Sequence, residues 1–420
     1  MKRREFLRTS LAAPLAGTLS GAGQARQKRT PESVAAELED NVYTRLLGVR
    51  PHIGAHEHIS RLSGSRMPDE VMDALVEANR FFVDVEELSE AAGRKVAELL
   101  GAEAALVTAG GFSSMILAAA GCLTGTDPNK IDALPHPDWT KRECLIQKAH
   151  RFSYDRAYRA AGMTIVEAYD RDQLLEKISE NTAMIPVLAA VEEQRQFGPP
   201  VPKKRALPPE PHVLMPDELI AIGKDAKVPV LVDMASDLPP ASNLTRWFRA
   251  GADLVVVSGG KGLRGPQSTG ILAGRKDLVE AAALNAAPHT GIGRGMKVGK
   301  EEIVALVVAL ERYLKLDHEK EIADWGEKAR WLASELQGIR GLSAEYAVNT
   351  KGYADVDLSW DESVIPLTHD ELRKRLLAGS PRVAYDGTTV RVRQLDEAEL
   401  ALVARRLREV FEEFSAIVGP

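Results

Sequence analysis

The chain has 420 residues, with 54 Lys and Arg against 60 Asp and Glu, a formal charge of −6, and 45% apolar residues. At about 150 residues per domain this allows two or three domains, and the composition excludes a disordered, collagen-like or multi-span membrane chain. The acidic balance argues against a broad electrostatic grip on nucleic acid, and two cysteines exclude a disulfide scaffold or a Cys-only zinc site.

Residues 1–25 form a basic head (Lys2, Arg3, Arg4, Arg8), a weakly apolar stretch from Leu11 to Leu19, and a small-residue end at Gly23-Gln24-Ala25. That is the order of a signal peptide, and Arg3-Arg4-Glu5-Phe6-Leu7 resembles a twin-arginine export signal. Export to the periplasm is therefore expected, with no integral membrane segment, because the apolar run is too short and interrupted to span a bilayer. Residues 1–30 carry seven basic groups and one acidic group, a local +6, so removing them takes the charge from −6 to −12.

Beyond the leader, Val34 to Leu47 reads as a helix, and Ser89 to Leu100 as a second one stopped by Gly101. Ala104 to Thr108 reads as a strand turning through Ala109-Gly110-Gly111 into a helix from Phe112 to Leu123. Further strands are expected at Glu143–Gln147, Thr164–Ala168, Ala183–Val191, Val228–Val232 and Asp253–Val257, with helices at Tyr154–Ala161 and Leu219–Ala226. Near-continuous apolar strands alternating with helices indicate an α/β fold with a mostly parallel sheet covered on both faces. Glu192 to Pro216 breaks the pattern with seven prolines and Lys203-Lys204-Arg205, a long loop of the kind that serves as a lid or as a surface insertion. From Glu301 the pattern becomes two amphipathic helices, an alternating stretch around the turn Asp386-Gly387, and a last helix opened by a capping box at Asp396 and Glu399. The chain thus divides into a leader (1–25), an N-terminal arm (26–62), a large domain (63–295) and a small α+β domain (296–420).

Two strand ends carry chemistry. Asp233 closes the strand VPVLVD, and Lys261 follows the strand DLVVV in Ser258-Gly259-Gly260-Lys261-Gly262. Open α/β sheets bind ligands at these carboxyl ends. An aspartate and a lysine so placed match the needs of pyridoxal 5'-phosphate: a lysine to form the Schiff base with its aldehyde, and a carboxylate to keep its pyridine nitrogen protonated. The phosphate needs a cradle, which the backbone N–H groups of Gly110, Gly111 and Phe112 at a helix start supply, with the Ser258 hydroxyl as an added donor. His56 and His58 have a metal-like spacing, but no third ligand accompanies them and no metal is expected. Cys122 and Cys144 lie in apolar elements and read as buried thiols.

The order of these elements resembles fold type I pyridoxal-phosphate enzymes, and within them the group of bacterial selenocysteine synthase (L-seryl-tRNA(Sec) selenium transferase) and D-glucosaminate-6-phosphate ammonia-lyase. The resemblance rests on RLSGSRMP, AGRKVAELLGAEAALVTAGG, KAHRFSYDRAYRAAG, VDMASDLPP, SGGKGLRGPQSTGILAGRKDL and GRGMKVGKEEIVALVVALERYL, which run from about residue 45 to 315. It implies that Lys261 is the cofactor lysine, Asp233 the pyridinium partner, and Ser258 and Gly110 to Phe112 the phosphate contacts. It also implies that His150 lies against the cofactor ring, and that Arg264 holds the lysine loop or a substrate anion. Arg391 and Arg393 become candidates for a substrate carboxylate. The fold further implies a homodimer or higher homo-oligomer, with Met296-Lys297 reaching the neighbouring subunit's site.

The chain departs from the group's pattern at Gly54-Ala55-His56-Glu57-His58, where an Asn-Ala-x-Gly-Thr-like run is common, and at Phe112, which is bulky for a phosphate cradle. The expectation is an exported enzyme acting on an amino acid or amino sugar acid, by α,β-elimination through Lys261. Selenium transfer to seryl-tRNA, amino-group transfer, racemisation and a non-catalytic paralogue are the alternatives.

Overall fold

A computed structural model of the chain describes residues 29–56, 58–192, 213–349 and 351–417. The expected leader (1–25), and residues 193–212 of the Pro-rich stretch, lie outside the described residues. A short strand β1 (Ile53–Ala55) precedes seven strands: β2 (Ala104–Thr108), β3 (Glu143–Gln147), β4 (Thr164–Ala168), β5 (Thr182–Leu188), β6 (Val230–Asp233), β7 (Leu254–Ser258) and β8 (Gly270–Gly274). These seven form one sheet in the order β2-β8-β7-β6-β5-β3-β4. Pairing from β7 through β6, β5 and β3 to β4 is parallel, whereas β8 runs antiparallel to both β2 and β7.

The apolar runs follow from burial on both faces. Val255 and Val257 of β7 point into a core with Leu219, Ile303, Leu306 and Leu310 from covering helices. Their neighbours Leu254 and Val256 point the other way, onto Ile116, Leu117, Ala120 and Ala282. Every second side chain thus changes sides, and each side meets a helix. β8 is absent from the sequence expectations because its GILAG composition imitates a loop. Glycine is required at its end, since a Cβ on Gly274 would lie 2.0 Å from the carbonyl oxygen of Asp253, the residue just before the paired strand β7.

A second core gathers Leu332, Val356, Leu358, Leu372, Val403, Leu407 and Phe411, and takes in Val34, Ile53 and Ala55 from the N-terminal segment. Here β9 (Leu342–Val348), β10 (Ala354–Trp360) and β12 (Thr389–Val390) form an antiparallel sheet, while β11 (Val383–Tyr385) pairs in parallel with β1. The turn at Asp386-Gly387 is present, closed by a bridge from Asp386 to Thr389. It does not make a continuous hairpin, because its two arms pair with strands distant in sequence. The expected helix over 34–47 is two helices, Pro31–Glu39 and Val42–Leu47, because Asn41 caps the second by accepting from the Tyr43 and Thr44 N–H groups. The last helix, Glu397–Ile417, starts at the expected box: Asp396 Oδ1 accepts from the Glu399 N–H at 2.8 Å, and Glu399 Oε2 from the Asp396 N–H at 3.1 Å.

No helix among the described residues is long and apolar enough to cross a membrane. Both cysteines are free, and burial pushes both thiols up, Cys122 to about 12.

Candidate active site

Asp233 is the last residue of β6, the middle strand of the seven, and its register partners are Leu188 on β5 and Val256 on β7. The side chain is buried, and its Oδ1 accepts from the Ala235 N–H at 2.9 Å. Burial raises this carboxyl above the ordinary aspartate range, while the Ala235 N–H and the Lys261 charge pull it back. Lys261 and Asp233, 28 positions apart in the sequence, therefore lie within electrostatic reach at the carboxyl end of the sheet.

The turn carrying Lys261 is held through its backbone. The Gly259 N–H donates to the Thr269 carbonyl at 2.9 Å, Gly265 N–H to Gly259 O at 2.8 Å, and Arg264 N–H to Lys261 O at 3.0 Å. Only glycine fits at position 260, because a Cβ there would lie 2.3 Å from Gln267 Cα. A further residue holds the turn from outside: Ser65 Oγ lies 2.7 Å from Gly260 O and 3.1 Å from Lys261 O, and its single hydrogen serves one of them at a time. The sequence does not mark Ser65 as a site residue, because nothing in its motif RLSGSRMP says which loop it meets.

The start of helix Gly111–Thr124 borders the same place. Gly110 has φ 90°, a left-handed backbone that suits glycine. A Cβ on Gly111 would lie 3.4 Å from Ala235 Cβ, so the helix start packs on the loop that follows Asp233. The first N–H groups of a helix have no acceptor within it. The nearby hydroxyls are turned back onto the protein: Ser113 Oγ donates to Ala109 O at 2.9 Å, and Thr108 and Ser114 share a hydrogen bond of 2.6 Å. The Phe112 ring lies edge-on to Tyr154 with centroids 6.4 Å apart, which takes its bulk to an aromatic neighbour. Ser258 ends β7 opposite Gly270, whose own Cβ would strike Gly110 at 2.6 Å. A buried carboxylate, a lysine and a glycine-lined helix start thus converge, a donor set that fits pyridoxal phosphate.

His150 is fully buried beside this cluster. Its Nδ1 accepts from the Leu188 N–H at 3.0 Å, so Nε2 carries the hydrogen and donates to Leu214 O at 2.8 Å. Both nitrogens are committed to backbone, and the ring face is what remains. Burial lowers its pKa from the ordinary 6.5 to about 4. The unfolded chain therefore takes up the proton first, and this contribution to stability is complete above 6.5 and lost as pH falls through about 4. His150→Gln is expected to flatten the fall in unfolding temperature between pH 6.5 and 4, measured by calorimetry.

The three candidate arginines all have partners within the protein. Arg264, with φ 58°, donates from Nε to Arg66 O at 3.0 Å. Arg66 in turn grips Glu399 with two bonds of 2.8 and 2.7 Å, so this chain of contacts ties the lysine turn to the last helix. Arg391 and Arg393 were offered to a substrate carboxylate; in the structure both pair with the buried Asp355, at 2.9 and 3.4 Å, and Arg393 lies over the Tyr353 ring. A substrate carboxylate would have to compete with that internal one. His56 is buried, 5.7 Å centroid to centroid from His52, and the Arg391 N–H reaches the carbonyl of the preceding residue, Ala55, at 3.1 Å.

Several known proteins are similar to this chain over most of its length. The family model for L-seryl-tRNA selenium transferase (SelA) matches residues 212–350. The chain is 33% identical over 384 residues to a 5'-C-glycyluridine monooxygenase-decarboxylase from Streptomyces sp, covering 87% of this chain and 90% of that protein. It is 28% identical over 393 residues to the D-glucosaminate-6-phosphate ammonia lyase of Salmonella typhimurium (strain 14028s / SGSC 2262), covering 89% and 99%. The solved structure of a D-glucosaminate-6-phosphate ammonia-lyase superposes with a TM-score of 0.75 at 26% identity, over 90% of this chain and 99% of that one.

The fold is that of the fold type I pyridoxal-phosphate enzymes, and the relatives that span most of the chain are enzymes. Within that class, the chain belongs to the family of the selenium transferases, D-glucosaminate-6-phosphate ammonia-lyase and the glycyluridine monooxygenase-decarboxylase. The last of these is a reaction class that the sequence expectations did not contain.

Proposed function

We propose that the protein binds pyridoxal phosphate and eliminates a β-substituent and ammonia from an amino acid or amino sugar acid. The observation that carries this reading is the buried Asp233 at the tip of the central strand, next to the strand that leads into the Lys261 turn. When bound, the cofactor supplies an electron sink for the pair left at the substrate Cα. Lys261 would tether the cofactor, and its amine, when not so engaged, would take the proton from the substrate Cα. Asp233 keeps a proton on the pyridine nitrogen. The N–H groups of Gly111 and Phe112, with the Ser258 hydroxyl, would hold the phosphate, and the ring face of His150, whose nitrogens are both bonded to backbone, would be the surface it offers to the cofactor. The turn around Lys261, tied by Ser65, keeps the amine aimed at the reacting carbon.

A second reading, oxidative decarboxylation of a similar substrate, is favoured by the 33% identity to the monooxygenase-decarboxylase. A panel of amino acids and amino sugar acids separates the two. Elimination releases ammonia and a keto acid in equal amounts; carbon dioxide release with oxygen uptake, or amino-group transfer without free ammonia, would overturn it.

We also propose that the enzyme is exported by its N-terminal twin-arginine segment and works as a homo-oligomer on a small-molecule substrate. Phe81, Phe82 and Val83 support the second point: they stand exposed in a row, Phe82 completely so, beside exposed Val76 and Val85. Such a patch suits a covered surface better than water. Phe82→Glu is expected to shift the protein toward monomer in sedimentation velocity, with the far-ultraviolet spectrum unchanged. An unprocessed N-terminus on protein from the cytoplasmic fraction would count against export.

A further inference from the structure

The loop that follows Asp233 is gripped from the second core. Lys351 lies in the turn between β9 and β10, and its Nζ sits 3.3 Å from Asp237 Oδ1 and donates to Ser236 O at 2.9 Å. Neither side chain is open to water: their exposures are 12% and 9%. The other oxygen of Asp237 accepts from Asn243 Nδ2 at 2.9 Å, and the same amide also donates to Asp237 O, so the carboxylate is fixed from both sides. Three further bonds run from here to the cofactor end of the strand. The Asp237 N–H donates to Met234 O at 3.0 Å, the Met234 N–H to Val256 O at 3.1 Å, and the Ala235 N–H to Asp233 Oδ1 at 2.9 Å.

An ion pair this sheltered is a poor source of net stability, since desolvation consumes most of its attraction, but breaking one partner is costly and its geometry is strict. It also joins two separately packed cores at a point four residues beyond the residue assigned to the pyridine nitrogen. Nothing in the proposed chemistry uses Lys351 or Asp237 directly.

We infer that Lys351 is a positioning residue: through Asp237 and Ser236 it holds the Met234–Asp237 loop, and with it the Asp233 carboxylate, in the orientation that receives the cofactor. This rests on the cofactor reading given above. Without the cation, the Ala235 N–H and Asp233 Oδ1 lose their fixed relation, and the ring nitrogen meets a less ordered partner.

The test compares wild type with Lys351→Met, Lys351→Arg and Asp237→Asn, using full-length protein and pyridoxal phosphate itself. Lys351→Met and Asp237→Asn are expected to weaken cofactor binding about tenfold in equilibrium dialysis. The unfolding temperature of the cofactor-free protein should fall as well, because each of these variants leaves one sheltered charge unpaired, and Lys351→Arg, which keeps the charge, should recover most of the affinity. Unchanged affinity in Lys351→Met, with wild type binding normally, overturns the inference alone. A loss that is matched by a fall in the cofactor-free unfolding temperature and is not recovered by arginine makes the pair merely structural, and overturns it too. Wild type that binds no pyridoxal phosphate overturns the cofactor reading and this inference together.

Discussion

Lys261→Ala is expected to remove the visible absorption of the lysine-bound cofactor and to lower turnover by about 10³- to 10⁴-fold, the range for losing a group that moves a proton in the transition state. The fold should survive. The turn around residue 261 is secured by backbone bonds from Gly259, Arg264 and Gly265 and by Ser65, none of which uses the lysine amine. Far-ultraviolet circular dichroism should therefore match wild type while the visible band is gone. A band that persists in Lys261→Ala would place the cofactor lysine elsewhere.

Asp233→Asn should move activity and stability in opposite directions. Activity is expected to fall about 10²- to 10³-fold, the cost of removing one preorganised electrostatic partner of the reacting system. Cofactor-free protein should instead unfold at a temperature higher by about 2–4 °C, corresponding to roughly 1 kcal/mol. The carboxylate is buried, and burial outweighs the help it receives from Ala235 and Lys261, so its pKa is raised in the folded state. The unfolded chain then ionises first as pH rises, and folding carries a penalty. That penalty is absent below the ordinary value of 3.8, grows as pH passes it, and is complete above the raised value. The gain in Asp233→Asn should accordingly vanish in acid and appear toward neutrality, as read by calorimetry across that range. Asparagine keeps an oxygen for the Ala235 N–H, so the variant isolates the charge.

Between them these variants probe how the site is divided. Lys261 rides on a turn that exists without it, whereas Asp233 is a charge that the fold bears at a cost and that the cofactor's protonated nitrogen would neutralise. A carboxylate kept buried at the tip of a central strand, with no cation bonded to it among the described residues, is the arrangement expected where a ligand completes the pairing.

Much of this was legible in the residues. The strands around Asp233 and Lys261 are apolar runs of four or five residues ending in one polar group, and such runs form buried parallel strands because each face has a helix to meet. The glycines at 110, 111, 259 and 260 mark sharp turns at strand ends. The last helix announces itself by its capping box and its apolar stripe.

Other features had no local signature. β8 hides in a glycine-rich segment, because close packing there replaces side chains with backbone. β1 pairs with β11 across more than 300 residues, and the Asp386 turn looks like a hairpin although its arms join different partners. Arg391 and Arg393 look like free carboxylate binders until Asp355, an unremarkable residue in sequence, is found between them. Ser65 and Lys351 belong to segments far from the residues they hold, and only folding brings them there.

The sequence alone carried the class of fold, Lys261 and Asp233 as candidates for the cofactor, and an acidic body behind a basic N-terminal segment. It could do so because strand periodicity, turn glycines and charge are local properties. The tertiary structure decided which cations are already neutralised, which backbone secures the lysine turn, and that the N-terminal segment belongs to the second core. Those are long-range contacts, set by which surfaces remain to be buried once the local elements have formed.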